Sequence, residues 1–201
     1  MSLVDDITSE NLAERLAREP ELADARDEHG VSALLLSLYH RRPDARDALL
    51  AAGAEVGVLE AAALGDVERL EGADLNIRGG DGFTPLHLAA FFGGPAAVTA
   101  ILEAGADPDA DADNTFGVHP LHSACAVGAL ESARALLAAG ANPNVHQKGG
   151  YTPLHTAAHN NDVALVKLLL EHGADRARKD DTGQTALDMA GGDEVRAVIN
   201  R

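Results

Sequence analysis

The chain has no tryptophan, a single cysteine and few basic side chains, and each shortage excludes something. Aromatic residues make up 3% of the 201 positions, so a core must be assembled from leucine, alanine and valine. Such a core suits thin layers of short helices. One cysteine rules out an intrachain disulfide. No apolar run approaches the length needed to span a bilayer. Asp5 and Asp6 interrupt any apolar stretch near the start, so nothing there resembles a signal peptide, and a cytoplasmic location is the expectation. Sixteen basic residues face 32 acidic ones, a formal charge of −16. A surface of that sign repels phosphate backbones and anionic membranes, so neither nucleic acid nor membrane is an expected partner. It steers in a partner with a basic patch, or simply serves as a solvated acidic surface that keeps the protein soluble.

What is abundant is apolar residues, at 46%, enough to exclude disorder. They are arranged periodically. Asp81-Gly82-Phe83-Thr84-Pro85-Leu86-His87-Leu88-Ala89-Ala90 is echoed by Gly117-Val118-His119-Pro120-Leu121-His122, Gly150-Tyr151-Thr152-Pro153-Leu154-His155 and Gly183-Gln184-Thr185-Ala186-Leu187-Asp188. Thr84, His119, Thr152 and Thr185 mark the register, at steps of 35, 33 and 33 residues. Self-similarity at that period means stacked supersecondary units.

The recurring residues have physical jobs. Thr84 and Thr152 are placed to cap a first helix, and Pro85, Pro120 and Pro153 fill its first turn, where a missing N–H costs little. Leu86, Leu121 and Leu154 point into the stack. Ala89-Ala90 and Ala157-Ala158 let helices approach closely. Gly93, Gly128 and Asn161 suit a left-handed turn before a second helix. At the N-terminal end, Thr8 or Ser9 is the expected cap of a helix carrying Leu12 and Leu16, ended at Glu19-Pro20, with a loop over residues 20–30. Ser32 aligns with Thr84, and Pro43 opens the second helix of that unit. The next unit is short twice over. Nine residues are missing between Gly53 and Val56, and the second helix, Asp66 to about Leu70, lacks about 1.4 turns. A notch in the outer layer is expected there.

Together these motifs resemble the ankyrin-repeat family over nearly the whole chain, most densely in 81–190. The resemblance implies an all-α solenoid of stacked helix–turn–helix units with projecting loops or β-hairpins. It divides one continuous domain into an N-terminal capping repeat (1–30), two degenerate repeats (31–72), three repeats (73–173) and a C-terminal capping repeat (174–201). It also implies a concave surface of hairpin tips and first helices that binds another protein. His119 in place of the capping Thr, Ser123 in place of an apolar residue and Asp188 in place of the motif His depart from the pattern.

All six aromatics map to positions that the family leaves variable. Phe91 and Phe92 precede Gly93, Tyr39 aligns with Phe91, Phe83 and Tyr151 precede the capping Thr, and Phe116 lies in an extended hairpin. Aromatics are favoured at binding hot spots. The expected partner-binding residues are therefore Phe83, Phe91, Phe92, Phe116 and Tyr151, with Asp111 and Asp113 facing a basic partner. Phe83 and Tyr151 also suit plain packing of one hairpin on the next. Nine histidines raise a metal site, and His155 and His159 stand four apart. However, His87, His122 and His155 hold the motif position, where the resemblance implies a hydrogen bond to loop backbone. The helix also lacks the Glu of a zinc hydrolase. Asp109, Asp111 and Asp113 start like a calcium loop but fail at Asn114 and Pro120. Cys125 aligns with Ala90, a small buried position. No nucleophile–base pair stands at a meaningful spacing. The expectation is a monomeric, non-enzymatic, cofactor-free interaction module. The alternative is a structural or regulatory repeat protein without a high-affinity site.

Overall fold

The computed structural model describes Ile7 and residues 11–201. Twelve α-helices are present among them, and no strand beyond two isolated bridges, Arg26–Ser32 and Lys179–Thr185. They are α1 (Leu12–Arg18), α2 (Ala33–Tyr39), α3 (Pro43–Ala51), α4 (Val58–Leu64), α5 (Pro85–Leu88), α6 (Pro95–Glu103), α7 (Pro120–Ala126), α8 (Leu130–Ala138), α9 (Pro153–His159), α10 (Val163–Glu171), α11 (Ala186–Met189) and α12 (Asp193–Ile199). The fold is an all-α repeat solenoid. First helices α2, α4, α5, α7, α9 and α11 stack in one layer, while α6, α8, α10 and α12 stack in a second. One continuous core of leucine and small side chains runs between them, from Leu34 and Leu49 through Leu86, Ile101, Leu121 and Leu136 to Leu154, Leu165 and Leu169.

Each unit is tethered to the next through its motif histidine. His87 Nε2–H donates to the Val118 carbonyl at 2.8 Å. Nδ1 is then left to accept from the Thr84 backbone N–H (3.3 Å) and hydroxyl (2.8 Å). His122 and His155 repeat the arrangement on the carbonyls of Tyr151 (3.0 Å) and Gln184 (3.2 Å). One imidazole thus serves a helix N-terminus and the neighbouring hairpin at once. Burial pushes the pKa of His87 and His122 down to about 4, so both rings are neutral at physiological pH. In the last unit exposed Asp188 replaces the ring and accepts from the Thr185 N–H at 2.8 Å. A carboxylate needs no second partner at an end that faces water.

The degenerate unit is short where expected. Residues between Gly53 and Val58 form no hairpin, and the second helix is reduced to a 3-10 turn, Glu68–Leu70, where α6 and α8 each have nine residues. Three expectations are corrected. Pro20–Asp24 is a 3-10 helix rather than plain loop. The helix carrying Leu12 and Leu16 is capped at Asn11 with no side-chain cap bond, and Thr8 and Ser9 lie outside the described residues. Lastly, Gly93 is not the left-handed residue of its unit. It closes a π turn, Ala89–Gly93, and Gly94 takes the positive φ of 81°. Elsewhere one residue does this work, Gly128 (71°) or Asn161 (54°). Here the Gly94 N–H bonds the Ala89 carbonyl at 2.9 Å, and Gly93 is drawn into the widened helix.

Candidate functional site

The missing hairpin has a local consequence. With no loop projecting from the α4 unit, the loop at 79–82 stacks directly on the loop at 27–30. A Cβ placed on Gly80 would lie 1.5 Å from the His29 carbonyl oxygen. Tyr39, at the end of α2, reaches past α4 and donates its hydroxyl to the Asp81 carboxylate. Its ring lies 5.5 Å from that of Phe92, and Phe92 lies 4.6 Å from Phe91. The equivalent position in α4 is Ala63, small enough to let the two rings meet. Burial, together with the Asp81 and Glu60 carboxylates, holds the Tyr39 phenol far above its ordinary pKa.

These residues enclose a pocket of about 210 Å³, lined by Tyr39, Phe83, His87, Leu88, Phe91, Phe92 and Ser123. The π turn carries Phe91 and Phe92 into it, a common place for such a widening. Phe83 comes from the hairpin, 5.5 Å from the His87 ring. Both ring nitrogens of His87 are engaged elsewhere, so the wall is effectively apolar. Glu60 occupies in α4 the position that Leu88 and Ser123 hold in α5 and α7. It is 2% exposed and one of its carboxylate oxygens has no hydrogen-bond partner among the described residues.

Of the expected site residues, Phe83, Phe91 and Phe92 are thus brought together. The structure does not bring Phe116 or Tyr151 to the same pocket. Phe116 stands at the tip of the next hairpin, 61% exposed, its carbonyl accepting the Lys148 N–H at 2.7 Å. Tyr151 lies one unit further on, its ring 6.1 Å from His155, and lines a separate depression with Thr156, His159 and Met189. Asp113 is exposed beside Phe83, its N–H donating to the Gly82 carbonyl at 3.0 Å. Asp111 is exposed and 3.9 Å from Arg78. Four residues of the pocket, Tyr39, His87, Leu88 and Ser123, are outside the expected set, His87 and Leu88 because they belong to the repeat motif itself. Tyr39 was detectable as the register equivalent of Phe91. Ser123 was detectable as a departure from an apolar position.

A larger cleft of about 540 Å³ lies between the 75–84 and 106–119 segments. Two of its polar side chains are already engaged: Asp109 accepts the Asn142 N–H at 2.9 Å, and His119 Nδ1–H donates to the Asp109 carbonyl at 2.8 Å. No group of three or more His, Cys, Asp or Glu that could hold a metal ion exists among the described residues. No described helix is long and apolar enough to cross a membrane. Cys125 is fully buried, and burial pushes its thiol up to about 12. It is expected to resist iodoacetamide in the native protein at about pH 8 and to react once guanidinium unfolds the chain. Labelling at the rate of a free thiol under native conditions would contradict that placement.

A family model for ankyrin repeats (3 copies) matches residues 58–147 and 121–198. The B-cell lymphoma 3 protein homolog of Mus musculus is 36% identical over 168 residues, 84% of this chain and 27% of that protein. The mitochondrial disaggregase of Bos taurus is 31% identical over 171 residues, 84% of this chain and 24% of its own length. Ankyrin repeat and SOCS box protein 3 of Homo sapiens is 50% identical over 113 residues, 55% and 21% of the two chains. The chain therefore spans about a quarter of the length of these relatives.

Proposed function

The chain belongs to the ankyrin-repeat family, and from that premise we propose that it is a non-enzymatic module that binds another protein on the concave face of its stack. Ankyrin repeats generally mediate protein–protein interaction, which supplies the coarse reading. The finer one rests on a single observation: in a chain with only 3% aromatics, four of the six line one apolar pocket beside the hairpin tips. None of the six is counted among the fully buried core residues. Clustered aromatics that are only partly buried favour recognition over plain structural packing. Stacked units hold these side chains rigid, so little ordering entropy is lost on binding. On this proposal Phe116, Tyr151, Asp111 and Asp113 extend the surface. The net charge favours a basic partner, and the module acts as a monomer in the cytoplasm, without cofactor, nucleic acid or membrane.

The test is affinity capture from the native lysate with the wild-type chain and with Phe91→Ala/Phe92→Ala. Capture of a specific partner is expected to fall more than tenfold. Phe92 packs partly against the core, so this variant should also lose about 1–2 kcal/mol of stability. Phe91→Ala alone separates the two effects. Partner capture unchanged in all three proteins would remove the aromatic surface from the proposal.

A further inference from the structure

We propose that the Tyr39–Phe92 pocket is a socket for one apolar side chain of a peptide segment whose flanking residues are basic. This rests on the protein-binding reading above and names the chemistry of the partner. Three observations carry it. The pocket is set apart by its lining, since the depression at Tyr151, His155, Thr156, His159 and Met189 holds the same register two units on but has no pair of phenylalanines. The two residues before each mid-unit turn are Phe91-Phe92 here, but Ala63-Leu64, Ala126-Val127 and His159-Asn160 in other units. The space is widened by a short side chain. Ser123 occupies the position filled by Leu88 in the preceding unit and by Leu36 three units earlier, and it leaves part of the cavity open. A volume of about 210 Å³ exceeds the roughly 150 Å³ that accommodates benzene in an apolar cavity.

The third observation fixes the flanks. The hairpin tip that carries Phe83 holds Asp81 and the next tip holds Asp113, whose N–H donates to the Gly82 carbonyl at 3.0 Å, and Asn114 Nδ2–H ties the two loops together on the Asp81 carbonyl at 3.0 Å. Within a chain of net charge −16 this rim attracts lysine or arginine on either side of the inserted residue. The same charge disfavours a second copy of the chain as occupant. A cationic side chain inside the socket is disfavoured too. No carboxylate lines the wall, and Asp81 already accepts the Tyr39 hydroxyl. A lysine ammonium group would give up its hydration for contact with ring faces alone, with no carboxylate in the wall to pair with.

The experiment uses the full chain and fluorescein-labelled nonapeptides, Lys-Lys-Ala-Ala-X-Ala-Ala-Lys-Lys, read by polarisation at low and high salt. With X as Leu or Phe, binding is expected to be at least tenfold tighter than with X as Ala. Replacing the four lysines by glutamate is expected to abolish it. Ser123→Leu gives the position the side chain that Leu88 supplies in the preceding unit, so it should keep or raise the melting temperature while weakening the Leu peptide more than tenfold. Ser123→Val serves the same purpose should the longer side chain perturb the fold. Equal binding of all X, tightest binding with X as Lys, or no effect of filling the pocket in a folded variant would each overturn the socket. If partner capture still depends on Phe91 and Phe92 while the peptides do not discriminate, the socket falls and the protein-binding surface stands. If neither holds, both fall.

Discussion

Gly93→Ala is expected to unfold the stack at markedly lower temperature than the wild type. The new methyl group would lie 2.0 Å from the Ala62 carbonyl oxygen, and the neighbouring Gly65 nitrogen would be 3.3 Å away. The obstacle is backbone of the adjacent helix, so no rotamer change relieves it. Overpacking of a core by side chains costs about 1–3 kcal/mol, and a backbone obstacle places this substitution at or above the top of that range. For a chain of this size that is about 6–12 °C in melting temperature. Gly80→Ala is expected to behave alike, since its methyl group would meet the His29 carbonyl at 1.5 Å, in the contact that the absent hairpin created. Gly191→Ala is the control. It meets only the Asn161 side chain, at 3.3 Å, and should stay within about 0.5 kcal/mol of wild type. Thermal unfolding of the three variants decides the matter. Equal midpoints for Gly93→Ala and Gly191→Ala would mean that α4 and α5 are not packed backbone to backbone. The loss should extend to binding, because Gly93 ends the π turn that presents Phe91 and Phe92.

How much of this is legible in the residues depends on whether the cause is local. The helix–turn–helix units are, because Thr84, Pro85 and Leu86 each act within one turn of the helix they start. The shortened unit is legible by counting, and the reduced Glu68–Leu70 turn follows from the missing residues. The π turn is not, although two glycines, Gly93-Gly94, stand there at a turn that Gly128 or Asn161 serves alone in the next two units. The pocket is half legible. Phe83, Phe91 and Phe92 stand out as variable aromatics, but adjacency across a missing hairpin is a tertiary fact. Tyr39 precedes Phe92 by more than one repeat, and nothing in the period says that one ring reaches past Ala63 to the other. The same fact separates Phe116 and Tyr151 from the pocket. Their units keep full-length loops, and each tip bonds to the tip of the next unit, as in the Lys148–Phe116 and Asp181–Gly149 backbone bonds.

The second large effect is with acid. Above about pH 7, His87 and His122 are neutral whether the chain is folded or not. As pH falls through 6.5 the unfolded chain binds two protons, while the folded rings, held to about 4 by burial, do not. The unfolded state therefore gains free energy from proton binding, and stability is lost between about pH 6.5 and 4. Each tenfold difference in proton affinity between the two states is worth about 1.4 kcal/mol, so each ring contributes roughly 2–3 kcal/mol by the lower limit. Together they approach the whole stability of an ordinary domain. Asp44, Asp180 and Asp188 have lowered pKa values, so their contributions vanish only as pH falls below the ordinary carboxylate range, outside this window. The acidic surface acts the other way, since approaching the isoelectric point near 4.8 relieves self-repulsion. Urea unfolding at about 0.5 M salt, where that repulsion is screened, isolates the histidine effect. Stability is expected to decline steeply from about pH 6.5 to 4.5. His87→Gln, whose amide still donates to the Val118 carbonyl, should start lower at neutral pH and lose about half of the slope. A flat profile at high salt, or an undiminished slope in His87→Gln/His122→Gln, would show that these rings do not couple protonation to the joining of one repeat to the next.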